Sequence, residues 1–190
     1  LIDSVLAQWC SELRAPAMDL RALILGVTPE YWTLMRRFNA HTVGLDICPA
    51  MLKYVWPGPA NCAIAGDWLN MPFISDTFDW VACDGGLLLL PYPQGQRQVM
   101  GEIARVLRRG GIGIIRLFTP AEKSPTLLDL ELLLRSGTLS NSSELKLWLW
   151  SLLQEDATTG IVLHEIWQQV LQILPNFERL LYELGWSDGA

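Results

Sequence analysis

Apolar positions along the chain recur with two spacings that take turns. Leu1, Val5, Trp9 and Leu13 return every four residues, the spacing of one helix face. RALILG at 21–26 is a short apolar run closed by a glycine, as in a buried parallel strand. Thr28-Pro29-Glu30 then reads as N-cap, proline in the first turn and an acid near the helix N-terminus. It opens a helix through Tyr31, Leu34, Met35 and Phe38. TVGLDI at 42–47 predicts a second strand, followed by a short helix from Pro49. Asn61 to Ala65 predicts a third strand and Phe78 to Cys83 a fourth. A helix over Gln94 to Leu107 turns Val99, Ile103, Val106 and Leu107 inward. Arg109-Gly110-Gly111 reads as a turn, and Ile112 to Phe118 as the fifth strand. Strand and helix alternate about five times in these 118 residues, which predicts right-handed crossovers and a mostly parallel sheet covered on both faces.

Beyond Thr119-Pro120 only helices are predicted, over 126–134, 143–154, 161–174 and 176–184. Leu145 to Trp150 also alternates like a strand. The expected architecture is a Rossmann-like three-layer α/β/α sandwich, one domain over 1–190. Its core is 1–118, and a helical insertion plus final helix occupy 119–184.

Composition narrows the function. Apolar residues make up 51% and charged ones 18%, which excludes a disordered chain. A formal charge of −6 argues against a nucleic-acid partner. The densest basic cluster, Arg105, Arg108 and Arg109, sits at a predicted helix end, where cations complement the dipole. Cys10, Cys48, Cys62 and Cys83 have neither metal-site nor redox-motif spacing, and free thiols suit the cytoplasm. No apolar stretch reaches membrane-span length, no signal peptide is visible, and no membrane association is expected. The chain starts with Leu rather than Met, and a few residues are expected to precede it in the natural protein.

In open parallel sheets ligands bind beyond the carboxyl ends of the strands. Gly26 follows strand one and permits a sharp turn or close ligand approach; its plain alternative is a strand-to-helix turn. Asp46, twenty residues further on, suits a pair of ribose hydroxyls, or an N-cap before Pro49. Asp67 suits an exocyclic amine, and Trp68 either covers a ring or packs in the core. Asp84-Gly85-Gly86 follows strand four, while Asp79 lies at the strand start and reads as structural.

Three segments carry a family resemblance. GLDICPAML resembles the second motif of class I S-adenosylmethionine-dependent methyltransferases, GDWLNMPFISDTFDWV resembles their third region, and EIARVLRRGGIGII resembles their "RVLKPGG" helix-turn-strand. They run in order between residues 21 and 118, and the pattern is similar to methyltransferase type 11. The resemblance implies S-adenosylmethionine as cofactor and contacts from Gly26, Thr28, Asp46, Ile47, Asp67, Trp68 and Asp84. The glycine-rich first motif is degenerate: LILGVTPEY has one glycine and no preceding acid, with Val27 and Thr28 where glycines would leave room for the methionine end. The Thr28 hydroxyl and the N–H groups near Glu30 are the remaining donors for a carboxylate.

The implied reaction is methyl transfer to a small molecule, with Asp84 and His164 as candidates for a catalytic group. His41, before strand two, reads as structural. Trp148, Trp150, Trp167 and Trp186 suit either an acceptor pocket or helix packing. The alternative is a non-catalytic methyltransferase-like binding or scaffold domain. An NAD-linked oxidoreductase is weaker, because Gly-x-Gly-x-x-Gly is absent. The family's sheet usually ends in two further strands that this sequence does not reach, as a fragment or as a truncated sheet; a truncated sheet would expose strand five as an edge and predicts cover from the helical segment or a homodimer partner.

Overall fold

A computed structural model describes residues 2–12, 19–117, 126–139 and 141–153, with scattered positions between 162 and 185. The chain divides into two compact units, 1–118 and 119–190.

The first unit holds α1 (Ile2–Glu12), β1 (Arg21–Leu25), α2 (Pro29–Arg37), β2 (His41–Asp46), α3 (Pro49–Tyr54), β3 (Ala63–Ala65), β4 (Phe78–Asp84), α4 (Gln94–Val106) and β5 (Leu107–Arg116). Its sheet has the order β3-β2-β1-β4-β5, and every pairing is parallel. The order reverses direction at β1, which sets the exits of β1, β2 and β4 side by side.

Side-chain alternation in β1 and β4 builds two cores. Ala22, Ile24, Trp80 and Ala82 face Leu6 and Trp9 of α1 and Tyr31 and Met35 of α2. Leu23, Leu25, Val81 and Cys83 face Val99, Ile103 and Val106 of α4. This is the three-layer sandwich that the alternating pattern predicts.

Several local expectations change. Residues 107–111 are not helix end and turn; they open β5. The register jumps from Phe78↔Leu107 to Trp80↔Ile112, so β5 accommodates its extra residues in a bulge, with Gly110 at φ 80°. Arg108 and Arg109 therefore lie in a strand, and only Arg105 closes a helix. Arg108 pairs with Asp79, whose Oδ2 accepts the Arg21 N–H at 2.8 Å. The guanidinium lies over Trp9, and Trp9 Nε1 donates to the Gly110 carbonyl at 2.8 Å, joining α1 to the bulge. Asp79 is thus a buried structural acid at the strand start. β3 is shorter than expected, because Ala60–Cys62 form a 3-10 turn. Thr28 occupies the N-cap of α2, yet its hydroxyl makes no cap bond.

The second unit contains α5 (Leu127–Arg135) and α6 (Ser142–Leu153). Thr126 and Asp129 close a capping box at the start of α5. The alternating run 145–150 is helical. Leu145 and Leu149 sit one turn apart and pack with Leu130, Leu134 and Leu139, and Trp148 and Trp150 pack against that cluster. The helices expected over 161–174 and 176–184 lie largely outside the described residues, as do Trp167 and Trp186. No described helix is long and apolar enough to cross a membrane.

Candidate cofactor site at the strand exits

Gly26 leaves β1 at φ 88°, a left-handed conformation that favours glycine. Its N–H donates to the Leu45 carbonyl at 2.8 Å, which ties the β1 exit to the end of β2. Asp46 follows Leu45. Its Oδ1 accepts the Cys48 N–H at 2.7 Å, and its Oδ2 would stand 3.9 Å from a Cβ on Gly26. Asp46 thus supports the turn into α3 with one oxygen and faces the β1 exit with the other. Ile47 beside it is 71% exposed, an apolar surface at the rim.

The β3 exit lies next to β2, because the Gly66 N–H donates to the Asp46 carbonyl at 3.1 Å. Asp67 caps the 3-10 turn Trp68–Asn70 through Oδ1, which accepts the Leu69 N–H at 2.9 Å. Its other oxygen has no hydrogen-bond partner among the described residues. Asp46 and Asp67 therefore stand at neighbouring strand exits on the same rim.

The turn bearing Asp67 and Trp68 is held from α4. Gln98 Nε2 donates to the Leu69 carbonyl at 2.8 Å, and Glu102 Oε2 accepts the Met71 N–H at 2.7 Å. Arg105 pairs with Glu102 and donates to the Phe73 and Met71 carbonyls at 2.6 and 3.0 Å. The hydrogen bond from Arg105 holds the Glu102 carboxyl below its ordinary range, against the upward push of burial.

At the β4 exit Asp84 pairs with Arg116 from the end of β5. The Gly85 N–H donates to the Arg116 carbonyl at 3.1 Å. Burial, then the Asp84 carboxylate, raise the Tyr31 phenol, and Arg116 opposes them. Burial also pushes the Cys83 thiol up, partly offset by the Gly86 N–H. Tyr31 and Arg116 were not singled out in the sequence. Arg116 obeys the same rule that selects Asp46 and Asp84, since it ends a strand; Tyr31 stands on the inward face of α2.

Trp68 is half-buried and spans this rim. Its Nε1 donates to the Leu45 carbonyl at 2.8 Å. A Cβ on Gly26 would meet its Cζ2 at 3.4 Å, and a Cβ on Gly86 would meet its Cη2 and Cζ3 at 2.7 Å.

Neither histidine stands at a strand exit. His164 is an exposed residue of the second unit, 3.1 Å from Gln168 Nε2. His41 opens β2 at its amino end. A hollow of about 730 Å³ between α1 and α2 is lined by Ile2, Pro29, Glu30, Leu34 and Arg37 among others, with Asp46, Asp67 and Asp84 outside it. No group of three or more possible metal ligands occurs among the described residues.

The fold is that of class I S-adenosylmethionine-dependent methyltransferases. The family model described as "Methyltransferase domain" matches residues 25–115, a little under half of the chain, and S-adenosylmethionine is the cofactor of that class. One similar solved structure is a Galdieria sulphuraria protein described as a sarcosine dimethylglycine methyltransferase, with 21% identity, TM-score 0.51, and 73% of this chain and 54% of that chain covered. Another is the S-adenosylmethionine-bound amino pentose methyltransferase of calicheamicin biosynthesis from Micromonospora echinaspora, with 25% identity, TM-score 0.50, and 63% and 50% covered. The chain thus spans about half the length of these proteins. None of the curated proteins matches it.

The residues present divide over S-adenosylmethionine. Spare oxygens on two neighbouring acids and the exposed Ile47 fit a nucleoside. At the methionine end the usual glycines are absent, and the Trp68 ring rests on Gly26 and Gly86.

Proposed function

We propose that the chain binds S-adenosylmethionine along the rim of Gly26, Asp46 and Asp67 and that its methyl group passes to a small-molecule acceptor. The observation that carries this reading is the pair of acids on adjacent strand exits, each with one oxygen spent on its own backbone turn and the other unspent. Asp46 Oδ2 accepts from the ribose hydroxyls, Asp67 accepts the adenine amine, and Ile47 covers the ring face. Thr28 supplies a hydroxyl at the methionine end, where the Glu30 N–H has no partner among the described residues: Pro29 has no N–H, and Tyr31 and Trp32 donate to the Thr28 carbonyl.

The cofactor, when bound, supplies a methyl group already activated on sulfonium, so the chain's work is alignment and exclusion of water. Asp84, held by Arg116, places a fixed charge beside the site. A general base is needed only for a protonated acceptor, and His164 is the second candidate for that role. The acidic net charge favours a small acceptor over nucleic acid.

Calorimetry with S-adenosylhomocysteine tests the cofactor reading. Micromolar binding is expected, weakened about 10- to 100-fold in Asp46→Ala through loss of charge-assisted hydrogen bonds. Absence of binding at millimolar ligand refutes it and supports the second reading, a non-catalytic domain, which the single glycine and the position of Trp68 favour. A label-transfer screen that marks only RNA or protein refutes the small-molecule acceptor.

A further inference from the structure

We propose that Trp68 is the specificity-determining residue for the methionine half of the cofactor: its indole stands in the groove that half must enter, and the ring has to turn out first. The inference rests on the cofactor reading above and goes beyond it by assigning the two halves of the ligand different fates.

The indole lies across three strand exits. Its N–H is bonded to Leu45 at the end of β2, and its benzo edge rests on Gly26 after β1 and Gly86 after β4. The point facing Gly26 that lies 3.4 Å from the ring is also the point 3.9 Å from Asp46 Oδ2. A ribose held by that oxygen therefore sits against the indole edge. A tail running from it over the β1 exit toward Gly86 meets ring atoms. Glycines at 26 and 86 leave room above the backbone, and the ring fills it.

The ring can leave without orphaning a buried polar group, at the cost of its packing against the core that holds Leu45 and Cys83. The Leu45 carbonyl also accepts the Gly26 N–H at 2.8 Å, so it keeps a partner when the indole departs. Trp68 is half-buried, so its N–H reaches water after rotation. The backbone need not follow: Asp67 caps the turn, and Gln98 and Glu102 pin Leu69 and Met71 from α4. Asp67 thus stays in place for the nucleoside while the neighbouring side chain opens or closes the tail groove.

Adenosine, which lacks the tail, binds with the ring in place, whereas S-adenosylhomocysteine binds only with the ring displaced. Calorimetry on the full chain compares these two ligands in wild type, Trp68→Phe, which keeps a ring but loses the N–H, and Trp68→Ala, which empties the groove. The readout is the preference for S-adenosylhomocysteine over adenosine. In Trp68→Ala this preference is expected to rise at least about tenfold. In Trp68→Phe, whose smaller ring lacks the benzo edge, it is expected to rise in the same direction but by less than in Trp68→Ala. Should Trp68→Ala fail to fold, Trp68→Leu shortens the side chain and is expected to shift the preference in the same direction.

An unchanged preference in the shortened variants overturns the proposal. So does parallel weakening of both ligands, which would make the ring a floor rather than an obstacle. Failure of every protein to bind either ligand overturns the cofactor reading itself, and the proposal with it.

Discussion

Removing the Asp79 carboxylate tests how β1, β4, β5 and α1 are tied at the amino end of the sheet. Asp79 is 2% exposed; one oxygen pairs with Arg108 and the other accepts the Arg21 N–H at 2.8 Å. The two contributions differ in kind. The Arg108 side chain is 41% exposed, so its freed charge regains water and the pair contributes near the surface value, about 1 kcal/mol. The Arg21 N–H is partly buried and loses its acceptor, which costs about 1–2 kcal/mol. Asp79→Asn keeps an acceptor and is expected to lose about 1 kcal/mol. Asp79→Ala is expected to lose about 2–3 kcal/mol. Urea denaturation followed by tryptophan fluorescence reads the difference as a shift in midpoint at constant slope, with Trp9 and Trp80 reporting from 5.5 Å apart. If Asp79→Asn is as costly as Asp79→Ala, the bond to Arg21 is not the larger contribution and the reasoning fails.

Other consequences follow from single contacts. A Cβ on Gly44 would lie 2.5 Å from Cζ3 of buried Trp56, whose Nε1 is bonded to the Pro59 carbonyl. Gly44→Ala should therefore cost about 1–3 kcal/mol in urea denaturation, and much less in a Trp56→Leu background. Glu102, lowered by its bond from Arg105, should contribute stability that is complete above its unfolded value near 4.5 and lost as pH falls through the lower folded value. Urea midpoints from pH 7 downward should show wild type and Glu102→Gln converging below that range; a constant gap would contradict the assignment.

Much of the fold was legible because its periods are local. The RALIL and FDWVACD runs alternate between two covered faces, and Thr28-Pro29 and Pro49 mark helix starts that the structure keeps within a residue or two. Asp46, Asp67 and Asp84 could be selected because each ends or follows a strand, and position along a parallel strand decides which end of the sheet a residue reaches. Arg109-Gly110-Gly111 misled because glycine marks both turns and bulges, and only pairing with β4 distinguishes them. Leu145 to Trp150 alternates like a strand, yet the helix expected over 143–154 stands, because Leu145 and Leu149 meet Leu130 and Leu134 on one helix face.

The sequence by itself determined the sheet, its parallel sense and the acids at its rim, because hydrophobic period and turn chemistry act between near neighbours. The tertiary structure decided what those acids face. Trp68 is bonded to a residue 23 positions away and lies on glycines from two other strand exits. Such an arrangement follows from packing across the sheet, where shape and volume choose one rotamer among several that the local chain allows equally.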